Sequence, residues 1–353
     1  MTGNLKHAIG AAALAAFCLA PAHAQSGADV AAQIEVNAPG TTPAPDSIAT
    51  SRVSFPGGIA AHSGVIFATP IGYRPLTMDV YAPEQVTGPK RPLLIYVHGG
   101  AWLAGHPREA AAYQDWPALL AKMAARGYVV ASVSYRLSRE APFPAQIQDV
   151  KKGIQYLRTN ADTYGIDPHR VGIWGDSAGG HLVGLAGVTC GVEAFAPVVE
   201  APRWGPAPAA APTPPSDCVQ AVVGWYGIYD FLDEGPVKRP PPPPEDPVRL
   251  FLGCNTEQCT EAQKRAVSPV TYVDKGDAPM LLIHGSEDMA VPPRQSEIMA
   301  EKLNAVGVPA QVRIIQGANH AWYGKTPEAT RDASREAMKL TIDYFDAQLK
   351  PAR

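Results

Sequence analysis

The sequence is short of charge, of cysteine and of long apolar runs, and each shortage excludes a class of protein. Only 18% of the 353 residues are charged, and the formal net charge is −3. A nucleic-acid or anionic-membrane partner calls for a basic surplus that is absent here. Past the N-terminus no apolar run reaches the ~18 residues of a membrane span, so stable membrane insertion is not expected. There are five cysteines, with no Cys-x-x-Cys pair and no histidine nearby at ligand spacing. That argues against a metal site. There is no internal repeat and no sign of a second folded domain. What the chain does have is 46% hydrophobic residues, enough for a large core, which excludes wholesale disorder.

The N-terminus has the pattern of an export signal. Lys6 gives a positive start, Ala8 to Ala20 is apolar, and Ala22-His23-Ala24 supplies a small-x-small cleavage site. A signal peptide is expected over residues 1–24, with Gln25 as mature start and a secreted or periplasmic destination. Phe17 before Cys18 argues against a lipoprotein. Removing the signal leaves Cys190, Cys218, Cys254 and Cys259. An even count in an oxidising compartment suggests disulfides. Three pairings are open. Cys190–Cys218 with Cys254–Cys259 is the expected one, because each pair closes one local loop. Residues 25–60 are rich in Ala, Pro, Gly, Ser and Thr and are expected to form a flexible leader. The folded domain is expected over 61–353, with loop insertions at about 190–218 and 231–259. The second insertion carries Pro240 to Pro244, which can be neither helix nor central strand. It reads as a rigid spacer or as a cap beside the site.

Strand and helix patterns alternate along the rest of the chain. Val65–Thr69 and Leu76–Tyr81 read as a hairpin. Pro92–Val97, Tyr128–Tyr135, Val219–Tyr226, Pro279–Gly285 and Gln311–Ile315 are short apolar runs of the buried-strand type. Helical patterns run from about Glu109 to Arg126, Gln146 to Asn160, Gln295 to Val306 and Glu328 to Leu349. Gly165–Pro168 reads as a turn. The alternation predicts an α/β fold with a mainly parallel central sheet and helices on both faces.

One stretch organises the chemistry. In Ile173-Trp174-Gly175-Asp176-Ser177-Ala178-Gly179-Gly180 an apolar strand stops at Gly175 and a helix resumes at Ala178. Gly-x-Ser-x-Gly between them is a nucleophile elbow: the turn is so sharp that its neighbours must be small, and the hydroxyl is pushed out above the sheet. The Ala178 N–H is left free at a helix start, where it can bind a developing negative charge. A serine hydroxyl needs a base, and the base needs an orienting acid. Asp288, on the loop after the Pro279–Gly285 strand, is the expected acid, ahead of its neighbour Glu287. His320, on the loop after the last strand, is the expected base. His181 and His284 read as packing residues, and His98 as the residue that holds the next loop. In that loop, Gly99 and Gly100 can aim their N–H groups beside that of Ala178, each donor worth ~3 kcal/mol. Trp102, Tyr226 and Trp322 lie after strand ends and are candidate substrate-pocket residues, or ordinary loop packing.

His98-Gly99-Gly100-Ala101-Trp102, the elbow, Ser286-Glu287-Asp288 with Val291-Pro292, and Gly317-Ala318-Asn319-His320 together resemble the α/β-hydrolase superfamily. Within it the chain is most similar to hormone-sensitive-lipase-like carboxylesterases of the bacterial feruloyl- and acetyl-esterase-like branch. Phe143-Pro144-Ala145 with Asp149, Tyr164 to Pro168, and Ala266 to Val270 are similar to that branch too. The resemblance covers about residues 65–349. It implies Ser177 as nucleophile, Asp288 as acid, His320 as base, and Gly99, Gly100 and Ala178 as oxyanion donors. It implies no metal or organic cofactor, and a small-molecule or polymer-borne ester as substrate. Ala101 stands where the lipase-like motif has a third glycine. His-Gly-Gly-x-Trp also resembles kynurenine formamidases, so an N-formyl amide is the alternative substrate. The remote alternative is a catalytically silent binding module.

Overall fold

In the computed structural model, residues 51–70, 72–198, 213–233, 246–254 and 259–350 are described. The expected signal peptide, most of the leader, and Pro240 to Pro244 lie outside them. The strands are β1 (Ser51–Phe55), β2 (Ile59–Ala68), β3 (Leu76–Pro83), β4 (Arg91–Val97), β5 (Val129–Val133), β6 (Ile166–Asp176), β7 (Ala221–Trp225), β8 (Met280–Gly285) and β9 (Ala310–Ile315). They form one sheet in the order β1-β2-β3-β5-β4-β6-β7-β8-β9. From β5 to β9 every pairing is parallel, while β1, β2, β3 and β5 pair antiparallel.

The central strands are apolar at nearly every residue because both faces of the sheet are covered. Leu93, Ile95 and Val97 of β4 enter one core cluster, and Leu94 and Tyr96 enter the other. The first cluster is closed by helices α2 (Ala145–Thr159), α3 (Ala178–Val188), α5 (Glu261–Val267) and α6 (Arg294–Ala305). The second is closed by α1 (Trp116–Ala125) and α7 (Pro327–Leu349). Helix α7 buries Ala333, Ala337, Met338, Thr341, Phe345 and Leu349, the three-and-four spacing of an amphipathic helix. Helix α3 is buried at every position, and its sequence is apolar apart from His181. The strand order reverses at β4, which has β5 on one side and β6 on the other. Loops leaving the carboxyl ends of β4 and β6 therefore face a common crevice.

Three boundaries differ from the sequence reading. Helix α1 starts at Trp116, not near Glu109. Asp115 accepts from the Ala118 N–H at 3.0 Å and proline occupies the first turn, so the start is set there. The preceding loop is pinned to the sheet by Arg108, whose Nε lies 2.6 Å from the buried Asp79 carboxylate. Strand β6 begins at Ile166, paired with Arg91, where a turn was expected. The flexible leader was expected to residue 60, yet Ser51–Phe55 is an edge strand and β2 starts at Ile59. Strand β1 is exposed from Ser51 to Ser54 and holds just Val53 and Phe55 as apolar residues, too short a pattern to announce it.

The structure pairs Cys190 with Cys218 and Cys254 with Cys259. Beside the first pair, Lys151 is fully buried, 2.8 Å from Asp217, and also donates to the Thr189 carbonyl. The second follows the short helix α4 (Pro247–Leu252), whose Phe251 stacks on Trp102 with ring centroids 4.3 Å apart. No described helix is long and apolar enough to cross a membrane.

Candidate active site

Strand β6 delivers Ser177 into a turn at φ 52°, ψ −114°, a conformation L-residues rarely adopt. Close approach explains the flanking glycines. A Cβ on Gly179 would lie 2.0 Å from the Val97 carbonyl oxygen, and one on Gly175 would lie 2.6 Å from the same atom. The turn is closed by the Ser177 N–H, which donates to the Trp225 carbonyl at 2.9 Å.

The loops after β8 and β9 bring two further side chains to this serine. His320 Nε2 lies 2.9 Å from Ser177 Oγ, and its Nδ1 lies 2.8 Å from Asp288 Oδ2. The other carboxylate oxygen, Oδ1, accepts from the Ala290 and Val291 N–H groups, both at 2.9 Å. Burial alone would raise the Asp288 carboxyl. Hydrogen bonding from His284 and His320 outweighs it and holds the group well below the usual carboxylate range. The neighbouring Glu287 faces solvent and pairs with Lys325 at 3.1 Å, so of the two acids only Asp288 reaches His320. Asn319 ties the two loops together: its side-chain oxygen accepts from Met289 N–H at 3.1 Å and from His320 N–H at 2.7 Å.

His284 proves more than packing. Its Nε2 lies 2.9 Å from the Val291 carbonyl and 3.4 Å from Asp288 Oδ2, while its Nδ1 lies 2.8 Å from Ser296 Oγ. Both oxygens near Nε2 can only accept, so that nitrogen carries the proton. The Asp288 carboxylate thus stands between two imidazoles.

The loop after β4 forms the opposite wall, and here one expectation needs correction. The Gly99 N–H donates to Asp176 Oδ1 at 2.9 Å, so it is not available to a substrate. Tyr96 donates to the same oxygen at 2.5 Å. Burial nevertheless raises the Asp176 carboxyl. Among the described residues, the N–H groups of Gly100, Ala101 and Ala178 make no hydrogen bond. Ala101 sits at φ 55°, where a third glycine would be free of strain. His98 stacks on Tyr135 at 4.4 Å, and its Nδ1 lies 2.8 Å from the Gly99 carbonyl. Burial pushes both His98 and His181 down to about 4.

The three aromatic pocket candidates are buried: Trp102 is 2% exposed, Tyr226 and Trp322 0%. Trp102 donates to His181 Nδ1 at 3.3 Å and stacks on Phe251. Tyr226 packs 4.6 Å from the His320 ring and 4.6 Å from Trp322. All three adopt positive φ. Met289 and Tyr323 are exposed large apolar side chains close in sequence to Asp288 and His320. The described cysteine and carboxylate grouping with donor spacing, Cys190, Asp217 and Cys218, has both sulfurs bonded to each other and cannot hold a metal through them.

A serine, a histidine and a carboxylate in this line are a common device, so the surrounding chain decides the lineage. The BD-FAE family model matches residues 78–303. The chain belongs to the BD-FAE family. Its membership places it among hormone-sensitive-lipase-like α/β-hydrolases. Relatives of this BD-FAE chain include Esterase LipC of Mycobacterium tuberculosis, 33% identical over 253 residues that cover 69% of the chain and 56% of LipC. Isoprenylcysteine alpha-carbonyl methylesterase of Arabidopsis thaliana is 26% identical over 255 residues, 69% of the chain and 53% of that protein. The chain spans about half the length of the curated relatives it matches. Among solved structures, a truncated carbohydrate esterase from gut microbiota superposes with a TM-score of 0.65 at 28% identity, covering 87% of this chain and 99% of that one. An esterase of Thermogutta terrifontis shares the fold, with a TM-score of 0.60 at 22% identity over 88% of this chain and 98% of that one.

Proposed function

We propose that this protein is an exported serine carboxylesterase that hydrolyses short-chain acyl, acetyl or feruloyl esters through an acyl-enzyme on Ser177. The observation that carries the reading is the unbroken line from Asp288 Oδ2 through His320 to Ser177 Oγ, with links of 2.8 and 2.9 Å. In that line the imidazole takes the hydroxyl proton as Oγ attacks the ester carbonyl, and the carboxylate holds the ring and stabilises the imidazolium. The tetrahedral oxygen carries the developing charge. The unpartnered N–H groups of Gly100, Ala101 and Ala178 are the donors we assign to it, each worth ~3 kcal/mol. The alcohol leaves with the proton from His320. Water, deprotonated by the same imidazole, then releases the acid and restores Ser177.

Family membership and the esterase names of the relatives support an ester over an amide substrate. Export rests on the signal pattern at residues 1–24 and is compatible with two disulfides. The test is turnover of p-nitrophenyl esters from acetate to palmitate, beside methyl ferulate and N-formylkynurenine, with Ser177→Ala as control. Cleavage of short esters that vanishes in the variant is the expected result. Turnover of the formyl amide alone, or ester turnover that survives Ser177→Ala, overturns the reading.

A further inference from the structure

A groove runs between α1 and the start of α7, outside the loops that carry Ser177, Asp288 and His320. Tyr113 fixes its floor by donating to the Ser334 carbonyl across the groove at 2.6 Å. Tyr323, close after His320 in sequence, stands exposed on its rim. The Tyr323 carbonyl accepts from the Asn319 N–H at 2.7 Å, so the rim is tied directly to the histidine loop.

The charge in this groove is one-sided. Lys122 comes from one wall and Lys325, Arg331 and Arg335 from the other. Asp115 is the acid that lines it, and its carboxylate is occupied in capping α1. Among the described residues, Lys325 and Arg331 pair with the exposed Glu287 and Glu328, at 3.1 and 3.7 Å. Such pairs are worth little in water and exchange readily for a ligand. Lys122 and Arg335 have no ion-pair partner among the described residues. The chain as a whole is at −3, so this concentration of cations is local and against the average. Two guanidinium groups favour planar carboxylates, which they can hold through paired hydrogen bonds. The exposed Tyr323 ring offers an apolar face to the C–H face of a sugar, and Thr326, Thr330 and Gln114 add hydroxyl and amide groups. A flat anionic bilayer fits a concave site poorly.

We infer that this groove binds the carboxylate-bearing sugars of an acidic glycan whose esterified neighbour sits over Ser177. The substrate class is then an ester-decorated, uronate-containing polysaccharide, an inference that rests on the esterase reading above. The groove lies outside the catalytic line, so its charges act on binding of the chain and not on the chemical step.

The experiment compares kcat/KM on an acetylated oligouronide, on an acetylated neutral xylo-oligosaccharide of equal length, and on p-nitrophenyl acetate. The variant is Lys122→Glu with Arg335→Glu. The wild type is expected to favour the acidic chain by about 10-fold at low salt, with the preference collapsing near ~0.5 M sodium chloride. The double variant is expected to lose the preference while p-nitrophenyl acetate turnover and the melting temperature stay unchanged. Equal rates on acidic and neutral chains in the wild type overturn the inference, as does a preference that survives the double variant. A binding arm separates this outcome from failure of the esterase reading. Calorimetry with de-esterified oligouronide on Ser177→Ala should give binding heat that the added groove substitutions remove. Absence of that heat overturns the inference whatever the esterase assays give.

Discussion

The two walls of the site are built by opposite means. The wall that carries His320 is polar: Asp288, His320, His284 and Asn319 are laced by directional hydrogen bonds. The wall that carries Ser177 is steric: Gly175 and Gly179 leave no room for a Cβ against the Val97 carbonyl, and Ala101, Trp102 and Ser177 adopt positive φ. The first wall fails when a donor or acceptor is removed, and the second fails when volume is added. The polar wall can therefore lose rate while keeping its fold. The steric wall is expected to lose both together.

The largest effect tests the polar wall. Asp288→Asn presents an amide where His320 needs an acceptor, and kcat on p-nitrophenyl acetate should fall about 10⁴-fold with the urea midpoint little changed. A parallel loss of stability would break the contrast. Next comes the steric wall. Gly179→Ala forces a Cβ to 2.0 Å from a backbone oxygen that has no rotamer to escape through. It should cost more than about 4 kcal/mol, read as a large fall in urea midpoint or as no folded protein. Wild-type stability in that variant would remove the steric argument.

The third effect belongs to the steric wall and is driven by pH. His98 and His181 stay neutral in the fold down to about 4, whereas in the unfolded chain they take a proton near 6.5. Above pH 6.5 neither contributes to any pH dependence. Between pH 6.5 and 4 only the unfolded chain gains the protons, so stability falls as pH falls, by about 3 kcal/mol per histidine across the window. Denaturant midpoints measured from pH 7 to pH 4 check this. In His181→Gln, which keeps a donor and an acceptor, the slope should roughly halve. The smallest effect sharpens the polar wall. His284→Leu should lower kcat by about 10- to 100-fold at unchanged KM, and His284→Gln, which restores a donor at Nε2, should recover most of it. Equal losses in both variants would mark His284 as packing alone.

The same division explains what the sequence discloses. The meeting of Ser177, Asp288 and His320 is legible because each follows an apolar strand, and Ser177 has small neighbours. The Gly99 N–H was misassigned because its partner Asp176 is 77 residues away, and no local pattern announces that bond. Trp102, Tyr226 and Trp322 were read as pocket candidates because they follow strand ends. Only the packing of Phe251, Trp225 and His320 around them shows that they are buried. The sheet core was readable from its apolar runs, while β1 was not, since an exposed edge strand needs no apolar face.

Trp116, Trp174, Trp225 and Trp322 all lie fully buried on one side of the sheet, within reach of one another's rings. The molecule therefore carries its own optical reporter. Shielded from water, these indoles should emit at short wavelength in the native state and shift to the red together when that layer opens. Trp322 lies in the same short turn as His320, so emission follows the region around that imidazole as well as the core. Unfolding and loosening of that turn can be followed without a label, a dye or a substrate.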